Sequence, residues 1–292
     1  MGQAFRTPTS RVGLSLARAA AGRWSCFGAA LVLCAWLVVP ALGFAQERPV
    51  DLELVLAVDV SGSIDIEEAE LQRQGYLSAI QHPEVVEAIQ GGRIGRIAVS
   101  YVEWAGDLHQ RTLVEWTEIS DAESAAAFAT ALERQLVQTQ LWTSISTVID
   151  YAARSFEGNG FQGRRRVIDI SGDGPNNSGG LVVPARDRAL DEDIVINGLT
   201  IINGRPGRYG YPPLPNLDLY YEDCVIGGSG AFVVVANGFG DFARAILRKM
   251  LLEIAGEAPP APLLRLANDR LRPPCNAGEL QLRSWRPDDY DY

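Results

Sequence analysis

Residues 50–63 read VDLELVLAVDVSGS. The stretch up to Val60 is almost unbroken Leu, Val and Ala, the signature of a strand buried on both faces in a parallel sheet. It runs into Ser61-Gly62-Ser63, which reads as a turn. Asp59, Ser61 and Ser63 occupy alternate positions, so three oxygen-bearing side chains turn toward one point, and Gly62 permits the tight backbone.

Outward from this strand, apolar residues at helical spacing (Ala69, Leu71, Tyr76, Leu77, Ile80) predict a helix over 67–80, and a shorter helix follows Pro83. Residues 97–104 (IAVSYVEW) and 112–116 (TLVEW) read as neighbouring antiparallel strands around Ala105-Gly106-Asp107. Helices are expected over 122–136, capped by Ser120 or Asp121, and from Thr143 to about Phe156. Residues 166–171 (RVIDIS) form a strand, 184–191 a helix, 195–202 (VINGLTII) a strand and 232–236 (FVVVA) the last strand. Between them, 203–228 read as one long Gly-, Pro- and Tyr-rich loop, and 241–254 as a strongly amphipathic closing helix. Strands alternating with helices specify an α/β fold: a doubly wound, mostly parallel sheet with one antiparallel edge strand and helices on both faces. One domain, 48–256, accounts for nearly all of it.

The ends differ in character. Residues 1–23 carry Arg6, Arg11, Arg18 and Arg23 and no acid. An apolar run from Cys26 to Val39 and then small residues follow. This is the layout of a secretory signal peptide over 1–45, implying export to the periplasm or the medium. The competing reading is an uncleaved membrane anchor, for which a run of 14 residues is short of the roughly 20 that span a bilayer. Residues 257–262 (EAPPAP) read as a Pro-rich linker, and the remainder to 292 as a flexible acidic tail ending DDYDY.

The whole chain holds 26 basic and 36 acidic side chains. Without the four arginines of 1–45 the balance is 22 against 36, a net charge of −14. Such a surface repels nucleic-acid phosphates and anionic lipids, so neither nucleic-acid binding nor membrane insertion of the mature domain is expected. Cys224 and Cys275 remain outside the signal region. In an exported chain they either form one disulfide or stay as two buried thiols.

The polar clusters share one location. Asp59, Ser61 and Ser63 follow the first strand, Thr143 opens a helix and Asp173 follows the 166–171 strand. In an open parallel sheet the carboxyl ends of the strands line one crevice, where ligands bind. Two carboxylates and three hydroxyls suit a hard divalent cation: Mg²⁺ first, with Mn²⁺ or Ca²⁺ as alternatives.

This set resembles the von Willebrand factor A domain and its metal-ion-dependent adhesion site (MIDAS). The Asp-x-Ser-x-Ser motif matches Asp59, Ser61 and Ser63, the second-loop Thr matches Thr143, and the third-loop Asp matches Asp173 in Gly172-Asp173-Gly174. The stretches VEWAG (102–106), RRVIDISGDGPNN (165–177), NGL (197–199) and DCVIGG (223–228) are similar to a bacterial branch of these domains whose function is unassigned. The resemblance implies a cation held by those five residues and completed by a ligand carboxylate.

Glu103, Trp104, Asn176 and Asn177 stand near the same crevice as candidate ligand contacts, although Trp104 also reads as core and the asparagines as a polar turn. Asp65 reads either as charge near the metal or as a first-turn helix acid. His82 and His109 read as surface residues. The leading expectation is a non-enzymatic, metal-dependent protein-binding module whose partner offers an acidic group. The alternatives are a domain that metal merely stabilises, or a metal-assisted hydrolase.

Overall fold

Asp51 divides the opening apolar run. Its Oδ2 accepts from the backbone N–H groups of Ile94 and Gly95, both at 2.8 Å, which pulls the chain out of the ladder. Two strands result, β1 (Arg48–Val50) and β2 (Leu52–Asp59). The computed structural model describes residues 47–207, 210–256 and 270–285. The expected signal segment, residues 1–45, lies outside them.

The helices are α1 (Ile66–Ile80), α2 (Pro83–Gln90), α3 (Ala122–Glu133), α4 (Ile145–Ser155), α5 (Val182–Asp191), α6 (Leu217–Tyr220), α7 (Phe239–Ala255) and α8 (Ala277–Trp285). The remaining strands are β3 (Ile97–Trp104), β4 (Gln110–Ile119), β5 (Phe161–Gly163), β6 (Arg166–Gly172), β7 (Ile194–Ile201) and β8 (Val233–Ala236). The main sheet has the order β4-β3-β2-β6-β7-β8, parallel throughout except for the β3–β4 pair at one edge. β1 and β5 pair separately, also in parallel.

The period-two alternation of strands sorts side chains onto the two faces. On one face Leu52, Leu54, Leu56, Val99 and Tyr101 pack against α1, α2, α3 and α7. On the other Val55, Ala57, Val102, Ile168 and Ile170 pack against α4, α5 and α6. α1 is entered through a capping box: Asp65 Oδ1 accepts from Glu68 N and Glu68 Oε2 accepts from Asp65 N. Asp65 is therefore a helix cap. His82 Nδ1 accepts from Glu84 N and caps α2.

Two expectations need correction. The 203–228 stretch contains α6 and a π-helical turn, Tyr221–Val225, that packs Tyr221, Cys224 and Val225 into the second core. The 257–292 stretch is not flexible throughout. Cys275 is bonded to Cys224, and α8 buries Ala277 and Leu282. The inward face of α7 is not purely apolar. Lys249 is fully buried on it, paired with Asp169 and, at 2.7 Å, with Glu253. Helical spacing locates a buried face but does not require that every residue on it be apolar.

Candidate functional site

The centre of the site follows from strand order. β2 and β6 are neighbours, yet β2 continues through α1 on one face while β6 continues through α5 on the other. The chain diverges between them, which opens a crevice at their carboxyl ends. Asp59 ends β2 and Asp173 follows β6, so the two carboxylates converge there.

Asp59 is completely buried. Its Oδ1 accepts from Ser61 N at 2.7 Å and its carbonyl accepts from Gln72 Nε2 at 3.3 Å. Its Oδ2 has no hydrogen-bond partner. Ser61 Oγ and Ser63 Oγ lie 3.2 Å apart, and Ser63 Oγ donates to Asp173 Oδ1 at 2.5 Å. Asn203 Nδ2 donates to Asp173 Oδ2 at 3.3 Å. Burial pushes the Asp59 carboxyl well above the usual range, and the nearby Asp173 charge adds to this. Burial likewise raises Asp173 to about 6, helped by the Glu68 charge and opposed by the Ser63 hydrogen bond. Two carboxylates that resist ionisation side by side are an environment that a cation relieves.

Thr143 enters on the loop before α4. That loop is pinned on both sides of Thr143: Gln140 N donates to Val60 O at 2.9 Å and Gly106 N to Leu141 O at 3.1 Å before it, and Ser144 N to Ala105 O at 2.7 Å after it. A side chain at Gly106 would meet Leu141 O at 2.9 Å, which is why glycine is needed there. Asn177 Oδ1 accepts from Thr143 N at 2.9 Å, and Asn177 N donates to Thr143 O at 2.8 Å, so the second and third loops are clamped together. Ser63, Thr143 and Asp173 share the floor of a 230 Å³ cavity.

The donor set fits a hard cation in its chemistry: one buried unpaired carboxylate oxygen, a second carboxylate and clustered hydroxyls. Among the described residues no group of three His, Cys, Asp or Glu side chains is placed to hold a metal, so a cation here relies on hydroxyl oxygens as well.

The four candidate ligand contacts separate. Asn177 lines the cavity. Asn176 is buried and committed elsewhere: its Oδ1 accepts from Ser146 N at 3.0 Å and its Nδ2 donates to Glu279 Oε1 at 2.7 Å. Glu103 points to the opposite sheet face and pairs with Arg73 of α1. Trp104 is fully buried in the second core. Glu103 alternates to the face away from Asp59, whereas Trp104, the register partner of Asp59, shares its face and is taken up in the core.

Other residues at the site carry no motif. Gln72 holds the Asp59 carbonyl, Asn203 and Arg205 come from the long loop, and Leu282 comes from α8. Their sequence neighbourhoods are unremarkable; only the folded loops bring them to Asp173.

Over residues 49–258 the chain matches the family described as "Protein of unknown function (DUF1194)". The chain belongs to this family. No curated protein matches it. Several solved structures do. Proximal thread matrix protein 1 from the mussel byssus is 14% identical, covering 72% of this chain and 49% of that one, with a TM-score of 0.51. The same protein with a zinc-occupied MIDAS motif gives 14%, 72%, 49% and 0.50. The pilus adhesin SpaC from Lactobacillus rhamnosus GG is 13% identical, covering 72% and 31%, with a TM-score of 0.52. This chain thus spans about half the length of the mussel protein. At such identities the likeness is one of fold: this DUF1194 member has a von Willebrand factor A-like α/β fold, with a mostly parallel sheet and one antiparallel pair.

Proposed function

We propose that this chain is an exported, metal-dependent protein-binding module, with a divalent cation held by Asp59, Ser61, Ser63, Thr143 and Asp173. The observation that carries the reading is the buried, partnerless Asp59 Oδ2 beside hydroxyls and a second carboxylate at the switch point of the sheet. When bound, the cation supplies a Lewis-acid position that an acidic side chain of the partner completes. The chain's own residues do the rest: Asn177 clamps the Thr143 loop, Asn203 orients Asp173 and Gln72 fixes the end of β2.

The zinc in the mussel protein supports a divalent cation, and the mixed hydroxyl and carboxylate set favours Mg²⁺. The adhesin among the similar folds supports protein binding. The groups around Asp59 are carboxylates, hydroxyls and amides, while His82 caps α2, which suits binding rather than hydrolysis. Export draws on the character of residues 1–45 and on the Cys224–Cys275 disulfide, which fits an oxidising compartment.

The test is proximity labelling of the exported chain with Mg²⁺ and with chelator, beside Asp59→Ala and Ser61→Ala. The expected result is a partner set lost on chelation and in both variants. Labelling unchanged by all three contradicts the reading.

A further inference from the structure

A cation meeting one carboxylate leaves most of the cavity above it unused. That space is 230 Å³, below the roughly 300–1,000 Å³ of pockets for drug-sized ligands, so it admits side chains rather than a folded element. Beside Ser63, Thr143, Asp173 and the charged Arg205, its lining is mostly apolar: Leu141 and Trp142, residues 212–214 (PPL) and Leu282 of α8. Leu141 is 44% exposed and Trp142 38%, large apolar surface that a domain ordinarily buries.

These walls are built. Leu141 lies across Gly62 of the Asp-x-Ser-x-Ser loop, where an added Cβ would meet its Cδ2 at 3.3 Å. Trp142 has φ 67°, a left-handed conformation that bulky residues rarely adopt, immediately before Thr143. The 211–214 part of the lining is tied to α8: Tyr211 Oη donates to Gly278 O at 3.1 Å, and Gln281 Nε2 to Pro212 O at 2.7 Å. α8 is itself anchored by Glu279 on Asn176, and the chain leading into it by the Cys224–Cys275 disulfide.

We infer that the site takes a peptide segment in which a bulky apolar side chain directly neighbours the acidic residue. The carboxylate goes to the floor and the apolar group to the Leu141–Leu282 walls. The inference rests on the metal-dependent binding reading and adds the selectivity that the metal lacks, because any exposed Asp or Glu satisfies a cation.

The test uses an array of peptides with a central Asp flanked by Leu, Phe, Ser, Lys or Gly, probed with the full chain in Mg²⁺ and in chelator. Leu or Phe beside Asp is expected to raise chelator-sensitive retention about tenfold or more over Gly. Leu141→Ser, at a half-exposed position, and Leu282→Ala are expected to abolish that preference without adding charge beside the metal, and circular dichroism checks their folding. Chelator-sensitive retention with no flank preference, or a preference that survives both variants, overturns the inference while leaving the metal reading intact. Absence of chelator-sensitive retention for every Asp peptide removes the metal reading and the inference together.

Discussion

Ser63 Oγ donates to Asp173 Oδ1 at 2.5 Å, joining two loops whose residues lie 110 apart in the chain. The contact exists because β2 and β6 are adjacent and end at the same edge of the sheet. It also brings Asp173 close enough to raise the Asp59 carboxyl. In chelator, Asp173→Asn should therefore be neutral or stabilise by about 1 kcal/mol, since it removes one of two buried like charges and keeps an acceptor for Ser63. With Mg²⁺ the order should reverse, because the wild type gains a ligand that the variant cannot hold. Thermal melts in the two conditions check both signs.

Lys249 is fully buried between Asp169 and Glu253. Lys249→Met leaves both carboxylates buried without their cation and should cost about 3–5 kcal/mol. Urea denaturation measures it. A loss below 1 kcal/mol would show that the carboxylates simply take up protons and need no counterion.

The same cluster sets a pH dependence. Burial, then the Glu253 charge, pushes Asp169 up to about 7, against the pull of Lys249. Between the ordinary Asp value and about 7, the folded chain holds a proton that the unfolded chain releases. Stability therefore falls as pH rises across that window and levels off above it. Burial moves Glu53, Glu68 and Glu103 in the same direction. Denaturant midpoints in chelator at pH 5, 6, 7 and 8 should decline accordingly; a rise over that range contradicts the assignment.

Gly106→Ala places a methyl 2.9 Å from Leu141 O and 3.1 Å from Trp142 Cβ, so the loop carrying Thr143 must move. A cost of about 1–3 kcal/mol and weaker Mg²⁺ binding are expected. Gly174→Ala meets nothing nearer than Thr143 Oγ1 at 3.9 Å and serves as the tolerated control. Melts and metal titrations of the two variants distinguish a clamped loop from a compliant one.

Cys224 and Cys275 close a separation of 51 residues. Cys224→Ser with Cys275→Ser should destabilise by about 2–4 kcal/mol and raise amide exchange in α8 before the sheet. Unchanged exchange in α8 would mean that Ala277, Leu282 and the Asn176–Glu279 bond hold the helix unaided.

The sheet was legible because buried parallel strands are long apolar runs, and 50–60, 97–104 and 166–171 leave little else to read. Asp51 was not, since one acid in such a run betrays no partner until Ile94 and Gly95 fold back to it. Asp59, Ser61 and Ser63 are legible from their alternate spacing, Thr143 and Asp173 from a helix start, a strand end and the family resemblance, and the structure brings Ser63, Thr143 and Asp173 to one cavity. Trp104 is core, one of its two readings, and only Glu103 is excluded by strand alternation. Val99 and Tyr101 already placed Glu103 on the α1 face. α6, the π turn and α8 were hidden in Gly-, Pro- and Tyr-rich sequence, where contacts made elsewhere in the chain decide the conformation.

The account stands on a cation at Asp59 and Asp173. Calorimetric titration of the full chain with Mg²⁺, beside Asp173→Ala of unchanged circular dichroism, tests it most directly. The predicted result is one equivalent bound by the wild type, with a raised melting temperature, and neither effect in the variant. A folded wild type that gives neither heat nor a melting shift with Mg²⁺ or Mn²⁺, or a variant that binds as the wild type does, would contradict it.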